Sequence, residues 1–204
     1  MLLLASSCNS LRPVITSLVA DADWATPSDS IRVTCTASSP DGGELSYEWS
    51  TTGGNITGTG PEVTWTAPEE VGMYDITVVV SDSQGRETTE SITLIASNGP
   101  PPIIENLIVT AEHPYLKEIT TGYKVAKTYD YNIECIASNT SGELVYEWSC
   151  TGGNISGEGS MITWTAPNTE GDVTVTVKVF DDLDNWVRKS IAFEVVSCES
   201  CVDW

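Results

Sequence analysis

Residues Glu44 to Gly60 (ELSYEWSTTGGNITGTG) return 99 positions later as Glu143 to Gly159 (ELVYEWSCTGGNISGEG). The match continues through Val63-Thr-Trp-Thr-Ala-Pro68, which reappears as Ile162-Thr-Trp-Thr-Ala-Pro167. Upstream, Cys35-Thr-Ala-Ser pairs with Cys135-Ile-Ala-Ser at an offset of 100, because the connection Ser39 to Gly43 is one residue longer than its counterpart. A repeat of this length means that whatever folds once must fold twice. The 204 residues are two copies of one small module rather than one large core.

Each copy reads as all-β. Ile76, Val78 and Val80 alternate with Thr77, Val79 and Ser81, and Val173, Val175, Val177 and Val179 alternate with Thr174, Thr176 and Lys178. A period of two rich in β-branched residues marks half-buried strands, and no stretch carries a helical period. In the first copy, strands are expected near 13–20, 30–37, 45–50, 62–66, 74–81 and 87–95. Short strands separated by Gly, Asp, Asn and Pro clusters predict two tandem antiparallel sandwiches. The expected organisation is an N-terminal segment 1–12, module 1 at 13–97, a joint 98–102, module 2 at 103–197 and a tail 198–204. The joint, Asn98-Gly-Pro-Pro-Pro102, favours a short, semi-rigid extended conformation. Between its first two strands, module 2 carries extra residues within Glu112 to Asp130, including His113, Tyr115 and Tyr123. An insertion confined to one copy is where individuality is expected.

The pattern Cys35-x-Ala, Asp41-Gly-Gly-Glu-Leu-x-Tyr-x-Trp49, Trp65-Thr-Ala-Pro, Gly72-x-Tyr74 and Val80-Ser-Asp82-Ser-Gln-Gly85 resembles an immunoglobulin-like module of the polycystic-kidney-disease (PKD) type, as found in exported prokaryotic proteins. One departure is that Glu48-Trp49-Ser50 and Glu147-Trp148-Ser149 stand where such domains usually carry Trp-Asp-Phe-Gly-Asp-Gly. The resemblance implies the fold, and only in general terms a spacer, adhesin or binding accessory. It places Cys35 with Trp49, and Cys135 with Trp148, at the strand positions that form the core of immunoglobulin domains. The partner cysteine of the usual inter-sheet disulfide is replaced by Ile76 and Val175, so Cys35 and Cys135 are expected as buried thiols. Tyr74 fits a tyrosine corner, which Val173 cannot reproduce in module 2.

Composition narrows the function. With 29 acidic against 9 basic side chains and a net charge of −20, the chain repels phosphate backbones and anionic membrane surfaces. Nucleic acid is therefore excluded as a partner. The charge belongs to the repeat: residues 1–98 hold 13 acids and 3 bases, and residues 99–204 hold 16 and 6, so each half nets −10. One histidine, His113, has no nucleophile motif beside it, and two filled sandwiches leave little room for a substrate cleft. The expected protein is not an enzyme.

The cysteines suggest export. Cys8, after Met1-Leu-Leu-Leu-Ala-Ser-Ser7, resembles the lipidated cysteine of a bacterial lipoprotein signal, although Ala5 stands where leucine is usual and the apolar run is short. Lipidation there would make the membrane a partner only through the anchor; a plain apolar N-terminus is the alternative. Cys150 has Thr51 as its counterpart, so Cys150 with Cys198 or Cys201 forms a candidate disulfide, and a bridge within Cys198-Glu-Ser-Cys201 is the rival. A single Cys-x-x-Cys pair falls short of a zinc site.

Two candidate sites remain. Asp181, Asp182 and Asp184 form the densest acidic loop and are the candidate ligands for calcium, which would be the one cofactor; ordinary solvated carboxylates are the alternative. Trp186, Tyr115 and Tyr123 have no aromatic counterparts in module 1 and are candidate contacts for protein or glycan. The function expected is a monomeric, exported, envelope or cell-surface protein engaged in adhesion or presentation. A ligand-free structural spacer and a carbohydrate-binding accessory module are the alternatives.

Overall fold

A computed structural model of the chain describes residues 12–139 and 142–197, and the chain divides into two compact units, Met1–Ser97 and Asn98–Trp204. The first unit contains β1 (Val14–Ala20), β2 (Trp24–Ala25), β3 (Ser30–Ser38), β4 (Leu45–Thr51), β5 (Asn55–Thr57), β6 (Glu62–Thr66), β7 (Gly72–Asp82) and β8 (Glu87–Ala96). They form two sheets, ordered β1-β3-β6-β5 and β2-β8-β7-β4. Every expected strand is present within a few residues. The two additions, β2 and β5, are two and three residues long, too short to carry a period.

The alternation in β7 does what its period of two requires. Ile76, Val78 and Val80 are fully buried, and they close over Val33, Cys35, Val63, Trp65 and Leu94 from the neighbouring strands. The tryptophans correct the sequence expectation. Trp65 and Trp164 are fully buried, whereas Trp49 and Trp148 are half-buried at the margins of their cores. The reason is strand position. β6 lies inside its sheet, flanked by β3 and β5, while β4 is the outer strand of the other, so one side of Trp49 has no neighbouring strand to cover it. Tyr74 does form the expected corner, its hydroxyl donating to the Glu70 carbonyl at 2.8 Å.

The second unit contains β9 (Ile103–Thr110), β10 (Leu116–Ile119), β11 (Gly122–Ala126), β12 (Asp130–Ser138), β13 (Val145–Cys150), β14 (Asn154–Ser156), β15 (Met161–Thr165), β16 (Gly171–Phe180) and β17 (Trp186–Val196). Its sheets run β14-β15-β12-β9 and β10-β11-β17-β16-β13. The first unit's plan is therefore repeated with one added strand. β11 pairs parallel to β17, as β2 pairs parallel to β8. The inserted residues supply β10 and fold back antiparallel on β11.

The insertion is tied down by Tyr131, which occupies the position of Ile31 and is fully buried. Its hydroxyl accepts from the Ala126 N–H at 2.8 Å and lies 2.9 Å from the Tyr115 carbonyl and 3.1 Å from the Ala126 carbonyl. A buried phenol needs such partners, and here they are the two ends of the hairpin. Before β9, the Asn98 N–H donates to Asn185 Oδ1 at 2.7 Å and Pro102 is buried, so the start of this unit is held against its own β16–β17 turn. No helix among the described residues is long and apolar enough to cross a membrane.

Candidate functional site

The repeated motif is absorbed by the fold. Trp65 Nε1 donates to the Gly53 carbonyl and Trp164 Nε1 to the Gly152 carbonyl, each at 2.9 Å. Trp49 and Trp148 donate in the same way to Gly60 and Gly159, again at 2.9 Å. Gly54 and Gly153 have φ of +78° and +84°, and a Cβ on either would fall 2.3 Å from a carbonyl oxygen of the strand alongside. The Gly-Gly-Asn run and its tryptophans are thus scaffolding. Residues that distinguish the second unit from the first are where a site can be sought.

The acidic loop is scaffolding too, which corrects the calcium expectation. Asp181 is buried; its Oδ1 accepts the N–H groups of Leu183 and Asn185 at 2.9 and 3.0 Å, and its Oδ2 accepts Asn185 Nδ2 at 2.9 Å. Asp82 closes the equivalent turn by accepting the N–H groups of Gln84 and Arg86 and the Arg86 guanidinium. Among the described residues no three acidic, histidine or cysteine side chains gather as a metal site, and Asp181, Asp182 and Asp184 do not converge. A tight turn spends the buried carboxylate on its own amides.

The aromatic candidates go to different places. Tyr123 stacks on the core residue Phe193, with centroids 6.0 Å apart. Trp186 lies on the outer face of the larger sheet, in register with Phe180 and, through it, Val145. Lys178 Nζ stands 4.5 Å from the Phe180 ring centre and 4.0 Å from that of Trp186, a cation–π arrangement. In the first unit the same three positions are Ser46, Ser81 and Glu87. There the Ser46 hydroxyl donates to the Ser81 carbonyl and the Ser81 hydroxyl to Glu87, each at 3.4 Å.

Tyr115 belongs to a cluster that the sequence did not announce. His113 lies 5.7 Å from Tyr115, 4.7 Å from Tyr129 and 5.0 Å from Tyr131, edge-on to the last. The Tyr115 N–H donates to His113 Nδ1 at 3.3 Å, and Nε2 lies 3.1 Å from the Asp130 carbonyl. A carbonyl can only accept, so Nε2 carries the proton and the ring is held from both sides. Beside it opens a cleft of about 420 Å³ lined by Glu112, His113, Tyr129, Asp130, Asn132 and Thr163. The available signal was the density of aromatic residues between His113 and Tyr131, but their convergence depends on the hairpin.

Neither of the two core thiols, Cys35 and Cys135, is activated. Burial raises Cys35 above its ordinary range, with Glu90 adding to the effect. Burial pushes Cys135 up to about 11, against a smaller opposing pull from Lys189. Both are inert as nucleophiles at neutral pH. Cys150 is half-buried, with its sulfur 3.8 Å from the Gly153 carbonyl. Cys8, Cys198 and Cys201, and with them the anchor and disulfide expectations, lie outside the described residues.

Residues 28–94 match the PKD domain. No curated protein matches the sequence. Among solved structures, the chain is similar to the fibronectin(III)-like modules of Clostridium thermocellum CbhA, with 20% identity over 92% of this chain and 96% of that one and a TM-score of 0.35. It is also similar to a C-terminal 282-residue fragment of intimin solved with the intimin-binding domain of its translocated receptor, with 16% identity over 87% and 63% and a TM-score of 0.34. A third is the Yersinia pseudotuberculosis adhesin InvE, with 15% identity over 87% and 58% and a TM-score of 0.32. This chain thus spans less than two thirds of the last two. The motif and the strand order agree with the match of residues 28–94 to the PKD domain, and the second unit repeats the strand plan of the first.

Proposed function

We propose that this is a non-catalytic, exported surface protein whose second module contacts a partner while the first supports it. One observation carries the reading: at matched positions of the two outer sheet faces, Ser46, Ser81 and Glu87 of the first module are replaced by Val145, Phe180 and Trp186 in the second. The first module is an internal control, because it shows that the fold itself needs no apolar side chains there. Two half-buried aromatic rings beside an exposed valine, on the outer face of a chain this rich in carboxylates, mark a contact surface. Attachment through a lipid on Cys8 belongs to the same proposal, as does a position at the cell envelope.

The test is to present full-length protein to a printed glycan panel and to a panel of purified extracellular-matrix proteins, alongside a variant carrying Val145→Ser, Phe180→Ser and Trp186→Glu. The expected outcome is selective binding by the natural sequence that the variant loses while keeping its β-rich circular dichroism spectrum. Binding by neither, or equal binding by both, favours the ligand-free spacer instead.

A further inference from the structure

We infer that the cleft beside the inserted hairpin binds a pyranose unit of a neutral glycan, stacked on Tyr129 and hydrogen-bonded by Asp130, Asn132 and Glu112. This rests on the second module being the one that recognises a partner. The cleft, about 420 Å³, falls within the range of about 300 to 1,000 Å³ usual for small-ligand sites. Its aromatic wall is the His113–Tyr129 pair, with Tyr115 5.0 Å behind Tyr129, and Tyr129 is 37% exposed. One face of a pyranose presents C–H bonds with partial positive charge, which suit the negative face of a phenol ring.

Around that wall stand both kinds of hydrogen-bonding group that a sugar needs. Asp130 Oδ1 accepts the Thr165 hydroxyl at 2.6 Å, while its Oδ2 accepts from none of the described residues. Asn132 Oδ1 accepts the Thr163 hydroxyl at 3.0 Å, which orients the amide and leaves Nδ2 as a donor. Glu112 is exposed on the cleft lining. Two carboxylates repel uronic and sialic acids, so the glycan is neutral. A cationic ligand would use the rings and carboxylates but waste the amide donor.

The first module again serves as control. The equivalents of Tyr129 and Asn132 are Asp29 and Arg32, and Arg32 is engaged with Asp21 and Glu62 at 3.8 Å each. The backbone is common to both, however. Thr128 has φ of +67° and Ser28 +69°, and each donates its N–H at 3.1 Å to the carbonyl of an alanine, Ala166 or Ala67. The fold supplies the turn, and module 2 alone places an aromatic ring after it.

His113 is the only histidine, so its imidazole Cε1–H proton resonance reports on this cleft alone. Full-length protein is titrated with cello-, manno- and xylo-oligosaccharides, with oligogalacturonate as the acidic control and choline as the cationic one. The expected result is a saturable shift with at least one neutral series and none with either control. Tyr129→Ala should weaken that binding by about tenfold, and Glu112→Gln should weaken it, with thermal midpoints unchanged. A resonance unmoved by every neutral series, or moved by choline, overturns the inference. Sugar binding lost with Trp186→Ala but kept with Tyr129→Ala also overturns it. The outer-face variant still losing a partner in any of these cases would leave the proposed function standing without this cleft.

Discussion

Asp82 shows how one side chain can be conspicuous in a sequence for a structural reason. Burial alone would raise its pKa, but the Arg86 N–H, the Arg86 guanidinium and the Gln84 N–H outweigh burial and hold it below the usual carboxylate range. Arg86 in turn is shared with Asp41. Because the folded value is depressed, the interaction stabilises the fold above the unfolded pKa of about 4 and is lost as pH falls through the folded value. Asp82→Asn should lower the urea midpoint at neutral pH, and its gap to the natural sequence should shrink as pH is taken below about 4; a constant gap would contradict this. Residue identity was legible at such positions and role was not. The acids at 181, 182 and 184 look like a ligand set on paper, yet the turn's own amides consume the buried one. The four repeated tryptophans look alike, and only sheet position separates Trp65 from Trp49.

At the scale of elements, the inserted hairpin distinguishes the two modules. Aligning the repeats exposes the extra residues, but not that β11 takes up the parallel pairing of β2, since that pairing joins residues far apart in sequence. Tyr131 replaces Ile31 at the step where the hairpin returns to the core, so a phenol hydroxyl is introduced where there are hairpin ends to bind. Tyr131→Phe leaves the Ala126 N–H without that acceptor, an expected cost of about 1 to 3 kcal/mol. The loss should be local: amide hydrogen exchange should accelerate between Tyr115 and Ala126, while β16 remains protected. Uniform acceleration across the second module would show that the hydroxyl supports the whole sandwich rather than the insertion. Gly122, with φ of +143° and the Ala192 carbonyl 2.1 Å from where a Cβ would stand, marks the other place where the hairpin is tightly seated.

Across the whole molecule, the charge of −20 is distributed equally between the units and is poorly offset. Arg32 and Arg86 are already committed to carboxylates, and Lys124 to Glu194. Self-repulsion of this kind weakens as the screening length falls from about 30 Å at 0.01 M to about 10 Å at 0.1 M salt. The thermal midpoint should therefore rise with sodium chloride over that range, and a flat or falling midpoint would mean that these ion pairs outweigh the net charge. The sequence by itself determined the number of modules, their all-β character and the places of their longer strands, because repeats, a period of two and turn residues are local properties. Tertiary structure alone decided which tryptophans are enclosed, which carboxylate oxygens are spent within turns, and that His113, Tyr129, Asp130 and Asn132 share one cleft. Those outcomes depend on which strands become neighbours, and strand pairing is made across the chain rather than along it.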